Sequence, residues 1–97
     1  MGYKLVVLPN AQIEIETAVF WYESRQVGLG LDFLNYLDGY FATLKVGTAF
    51  FTIKHPPHYR ELPLKRFPFI VIYEVFDASI LIHSVFNTMQ NPSKKPK

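Results

Sequence analysis

The sequence predicts an α+β domain in the order β-α-α-β-β-β, a helical hairpin packed on a largely antiparallel twisted sheet. Three observations carry this. Apolar residues recur at helical spacing in two consecutive stretches, around Ala11 to Tyr22 and Phe33 to Leu44. Only Gly28-Leu29-Gly30 separates them, so the two helices must be antiparallel neighbours. The C-terminal half then carries two strand-like runs, Phe69 to Phe76 and Ser79 to Phe86, around an Asp77-Ala78 turn.

Taken in order, Tyr3 to Leu8 is a β-branched and aliphatic run stopped by Pro9, which reads as a strand. Asn10 is the expected cap of the first helix, and Glu14 and Glu16 suit the positive end of its dipole. Ala11, Ile15, Ala18 and Tyr22 form its buried stripe, with Val19 beside them. The second helix is expected over 31–46, with Phe33, Leu37, Tyr40, Phe41 and Leu44 inward and Gly47 ending it. Phe50 to Lys54 reads as a short strand or an extended approach. His55-Pro56-Pro57-His58 is a stiff connector, since each proline fixes its own φ and biases its predecessor away from helix. Tyr59 to Leu62 reads as a strand, with Pro63 demanding an edge or a bulge. Phe69 to Phe76 is apolar on both faces except at Glu74, which places it centrally. Residues 88–97, rich in lysine and proline, read as a loose tail.

Ninety-seven residues, 49% of them hydrophobic, suffice for one domain with one core. The absence of cysteine excludes a disulfide framework, a thiolate nucleophile and a cysteine metal site. No apolar run approaches the roughly 20 residues that span a bilayer, and 1–10 lacks a secretory signal, so the expectation is a soluble cytoplasmic protein. The net charge of +2 hides an asymmetry. Up to Leu44 two basic residues, Lys4 and Arg25, stand against five acids; from Lys45 onward eight stand against three. Such a split suits either a polyanion or acidic partner, or an ordinary surface with a lysine tail.

Glycines 28 and 30 lack the rest of a nucleotide fingerprint, and His55 and His58 straddle two prolines with no carboxylate at useful spacing. No cofactor and no metal are expected. Ser84 neighbours His83, but adjacent strand residues point to opposite faces, so no serine–histidine pair forms. There remain Lys54, His58, Arg60, Lys65 and Arg66. Metal-free RNA cleavage needs an acid, a base and a charge stabiliser, for which Lys54, His58, Arg60 and Tyr73 are the candidate catalytic residues. Tyr59 and Tyr73 are candidates to stack a base or donate a proton. The plainer alternative is a solvated basic edge with Arg60 held in a structural ion pair.

Between Tyr3 and Pro92 the sequence resembles the RelE/ParE superfamily of bacterial toxin–antitoxin toxins. The resemblance rests on Ala11 and Ile15, Trp21-Tyr22, Gly28-Leu29-Gly30 and Phe33-Leu34. It is strongest at Tyr59-Arg60, Leu64, Lys65-Arg66-Phe67-Pro68-Phe69, Ile72-Tyr73 and Val85. It implies a helical hairpin on a twisted sheet and a plasmid-stabilising toxin that inhibits growth and is neutralised by a cognate antitoxin. Operator DNA would be reached only through that antitoxin. RelE-like members cut mRNA on the ribosome, whereas ParE-like members poison DNA gyrase. Where ribonuclease members carry a histidine and an arginine after the last strand, this chain has Asn87 and Gln90, and their central-strand arginine is Ile70 here. The resemblance therefore points to the ParE side or to an inactive member. Tyr59, Arg60, Lys65 and Arg66 are the expected target-binding residues, and a ribosome-dependent endonuclease is the alternative.

Overall fold

The computed structural model describes residues 2–47, 53–55 (backbone only) and 59–89. Its elements are β1 (Lys4–Val7), α1 (Pro9–Arg25), α2 (Leu29–Val46), β2 (Ile53–His55), β3 (Tyr59–Pro63), β4 (Phe69–Phe76) and β5 (Ser79–Asn87). The expected α+β order holds; β2 overlaps the stretch read as a short strand or extended approach at Ile53 and Lys54, and takes in His55 of the expected connector. The sheet order is β1-β5-β4-β3-β2, with β4 in the middle. Three of its ladders are antiparallel, and β1 runs parallel to β5. The helical hairpin carries the chain from β1 at one edge to β2 at the other, and the antiparallel run β2 to β5 returns it beside β1.

Alternation along β4 sends Phe69, Val71 and Tyr73 to the helices, where Phe33, Leu37, Phe41 and Leu44 of α2 and Ala11, Ile15 and Ala18 of α1 complete the core. Its densest part is aromatic. Phe33 meets Tyr22, Phe67 and Phe69 with ring centroids 5.3, 5.0 and 5.1 Å away. The Phe67-Pro68-Phe69 step thus turns two rings into the core while Pro68 stays exposed.

Both helix starts differ from expectation. α1 begins at Pro9 after Leu8, with no side-chain cap, because proline already presents a helical φ and lacks the orphan N–H. Asn10 lies inside the helix and its amide faces Glu14 Oε1 at 3.5 Å. The first turn holds no acid, so Glu14 and Glu16 do not serve the helix dipole. α2 begins two residues before position 31, after Gly28 in the left-handed region. Its cap comes from the neighbouring helix: Glu23 accepts the Gly28 and Gly30 N–H groups at 2.8 and 3.0 Å. Gly30 is buried against α1, and a Cβ there would stand 2.6 Å from the Val19 carbonyl oxygen. Glycine is required at that crossing by close approach, not by torsion. Gly47 closes α2 at φ +77° with Tyr3 packed over it. Pro63 ends β3 opposite Ile70, three residues past Arg60, the last β3 residue that pairs with the described part of β2. The expected tail lies mostly outside the described residues, but Thr88 still bonds to the Pro68 carbonyl.

Candidate functional site

The cations singled out from the sequence do not form one cluster. Arg60 is the second residue of β3, opposite Tyr73, whereas Lys65 and Arg66 follow its far end, some 10 Å along the strand at about 3.3 Å per residue. Arg66 is engaged in the fold: Nη1 donates to Asp32 Oδ1 at 3.1 Å, Nη2 pairs with Oδ2, and the guanidinium lies 5.3 Å from the Phe67 ring. The Lys65 and Arg66 amides both donate to Tyr36 Oη, at 3.2 and 3.1 Å. Arg66 thus forms a structural ion pair of the kind that the plainer alternative gave to Arg60. With half its side chain exposed, Arg66 keeps a face toward solvent. Tyr73 is fully buried among core residues, so no base can stack on its ring. Tyr59 is half-buried on the helix-free face of the sheet. His58 and the Lys54 side chain fall outside the described residues.

Two other places carry the more developed geometry. The first is a groove of about 800 Å³ between α1 and the adjoining ends of β4 and β5, walled by Ile13, Trp21, Tyr22, Phe69, Val85 and Met89. Ile13, Trp21 and Met89 are 62%, 51% and 80% exposed, an uncommon concentration of uncovered apolar surface beside one helix. Its floor holds a carboxylate. Glu14 Oε1 accepts the buried Ser84 hydroxyl at 2.8 Å and the Val85 N–H at 2.9 Å. The reason lies in the sheet. β1 pairs with β5 only over Ser79–Ile82, so among the described residues 84–87 have no strand on that side. Glu14 takes the place of the missing strand at Val85. Sequence reasoning assigned Glu14 to the helix dipole, although its position three residues after Ala11 and four before Ala18 was the available signal. A carboxylate in register with a buried stripe has to find donors.

The second place is on the helix-free face. The register of β4 and β5 slips between Ile72 and Tyr73, leaving His83 as an extra residue. Its Nε2 lies 2.9 Å from Glu74 Oε1, both groups being mostly buried, and the Tyr59 ring meets the imidazole edge-on at 4.9 Å. A His–carboxylate pair beside a phenol can move a proton. Alternation is broken here, since Ile82 and Val85 both turn to the core with two residues between them; His83 and Ser84 engage different carboxylates, Glu74 and Glu14.

Burial pushes the Tyr22 phenol up from its ordinary value. Tyr36 and Tyr40 share a hydrogen bond that lowers the first and raises the second. A raised folded-state value gives stability that is complete below the unfolded pKa near 10 and lost as pH rises past it. Tyr22→Phe keeps the ring contacts and removes that loss. Urea melts between about pH 8 and 11 should therefore fall less steeply for the variant than for the parent, and parallel curves would refute this role.

No family model matches the sequence, and no curated protein is similar to it. Among solved structures, a chain of the chromosomal ParDE TA system from P. aeruginosa superposes with a TM-score of 0.74 at 18% identity, over 88% of this chain and 95% of that one. The α+β architecture is thus the ParE-like fold that the resemblance implied. No helix among the described residues is long and apolar enough to cross a membrane.

Proposed function

We propose that this chain is the toxin of a type II toxin–antitoxin pair of the ParE-like kind, acting in the cytoplasm on DNA gyrase. A cognate antitoxin segment sits in the groove beside α1 and neutralises it. The observation that carries this reading is the fold shared with the P. aeruginosa ParDE chain over nearly its whole length. The groove adds to it, since Ile13, Trp21 and Met89 offer an apolar lining to one face of a partner segment. Of the predicted target-binding residues, Tyr59 and Arg60 lie on β3, and Lys65 and Arg66 on the loop that α2 holds, so target contact spans both.

Induced expression should arrest growth, and co-expression of the small protein encoded beside the gene should restore it. Trp21→Glu should keep the fold and the arrest while escaping that rescue. Purified gyrase with the chain should accumulate double-strand breaks, and Arg60→Ala with Arg66→Ala should abolish them. Unimpaired growth would sink the toxin reading in favour of an inactive member that only binds its antitoxin.

One observation favours a second reading, the ribosome-dependent mRNA endonuclease: the grouping of Tyr59, Glu74 and His83 on the open face. Cuts in ribosome-bound message by primer extension, lost in His83→Gln, would select it over gyrase.

A further inference from the structure

The outer side of α1 carries a pattern that the core does not explain and that the groove, lined by Ile13 and Thr17, explains only at one end. Ile13, Thr17, Phe20 and Ser24 follow one another at spacings of four and three, the seam of a left-handed helix pair, and Val27 follows just past the helix end. Its apolar members, Ile13 and Phe20, are 62% and 80% exposed, and Val27 beyond the helix is 91% exposed. The other two members, Thr17 and Ser24, are small hydroxyl residues. α1 already buries Ala11, Ile15 and Ala18 on its opposite side, so this second stripe has no partner among the described residues.

We infer that the seam is a self-association surface, and that two copies pair through antiparallel α1 helices. The alternation of sizes selects the orientation. An antiparallel pair with its twofold axis between Thr17 and Phe20 sets Phe20 of each copy against Thr17 of the other, and Ile13 against Ser24. Each layer then holds one bulky and one small residue, and the helices keep a constant separation of about 8–10 Å. A parallel pair would stack phenylalanine on phenylalanine and hydroxyl on hydroxyl, alternately too thick and too thin. Isologous pairing of this kind closes at two copies.

The area is enough for a weak dimer. Large aromatic side chains bury roughly 150–250 Å² each. With the exposures of Phe20, Trp21, Ile13 and Val27, the patch amounts to roughly 500 Å² per copy, hence about 1,000 Å² in the pair, the lower end of specific interfaces. Trp21 flanks the seam with the Arg25 guanidinium 4.4 Å over its ring, which extends the contact. Glu16 and Glu23 meet on the other flank and hold the affinity down, although Glu23 already spends both oxygens on the Gly28 and Gly30 amides.

Sedimentation equilibrium on the chain alone tests this, independently of any antitoxin or target. The apparent mass should rise from one copy toward two between about 1 µM and about 1 mM. Phe20→Glu should remain monomeric throughout with an unchanged melting curve, since that side chain packs on little in the monomer. Because the chain has no cysteine, placed thiols report the register. A mixture of Thr17→Cys and Phe20→Cys chains should oxidise to a linked dimer, while Asn35→Cys, exposed on α2, should not. A single monomeric species at 1 mM would overturn the inference. So would cross-linking of the seam thiols no faster than the α2 control, which would leave the stripe to a different protein.

Discussion

Phe33→Ala is expected to destabilise the domain by about 3–5 kcal/mol, the ordinary cost of removing a fully buried phenylalanine. Phe33 has no exposed surface and stands where α1, α2 and the β3–β4 loop converge, touching Tyr22, Phe67 and Phe69. Collapse around the void is restricted, because Phe67 is tied to Tyr36 through its neighbours' amides and Gly30 already holds the helices at closest approach. Domains of this size are stable by about 5–15 kcal/mol, so the variant sits near the unfolding threshold at 37 °C. Thermal denaturation should fall by more than about 10 °C. Phe33→Leu, which retains most of the volume, should lose less than half as much. Equal losses for the two variants would mean that the aromatic cluster is not the keystone of the core.

Glu14→Leu is the second large effect, and its mechanism is different. The leucine side chain would take the acceptor away from the buried Ser84 hydroxyl and the Val85 N–H. An unsatisfied buried donor costs about 1–3 kcal/mol, and bonds to a charged acceptor lie toward the upper end, so a loss of about 2–4 kcal/mol is expected. Glu14→Gln keeps an acceptor oxygen in place and should cost less than half of that. Glu14→Leu with Ser84→Ala should recover part of the loss, since the second change removes one of the two orphaned donors. Chemical denaturation of the four proteins measures the cycle. Strict additivity of the two single changes would show that Glu14 and Ser84 are not coupled. Because Glu14 forms the floor of the groove, the same variants test whether partner affinity follows the polarity of that floor.

Much of the architecture was legible in the chain. The apolar stripe from Ala11 to Ala18 and the one from Phe33 to Leu44 defined the two helices, and the three-residue link between them fixed their antiparallel packing. The site was legible only in pieces. Arg60, Lys65 and Arg66 stand close in sequence, but β3 separates Arg60 from the other two, and Asp32 on α2 claims Arg66 from 34 residues away. A contact between residues so far apart leaves no mark in local spacing. Tyr73 belonged to both the core and the candidate chemistry on sequence grounds, and its inward pleat gave it to the core. His83 is a partly buried residue of β5. Its pairing with Glu74 arises from the slip in register at the bulge, and no residue pattern announces that slip.

By itself, then, the sequence determined the order of elements, the buried faces and the central position of Phe69 to Phe76, because these follow from local periodicity and from turn chemistry at glycine and proline. Tertiary structure decided what the charged and polar residues do. Glu23 caps the neighbouring helix, Glu14 substitutes for a strand, and Arg66 is fastened to α2, while an apolar groove and an outward seam are left uncovered on either side of α1. Each of these depends on which partner folding brings within about 3 Å of a hydrogen-bonding group, or fails to bring against an apolar one.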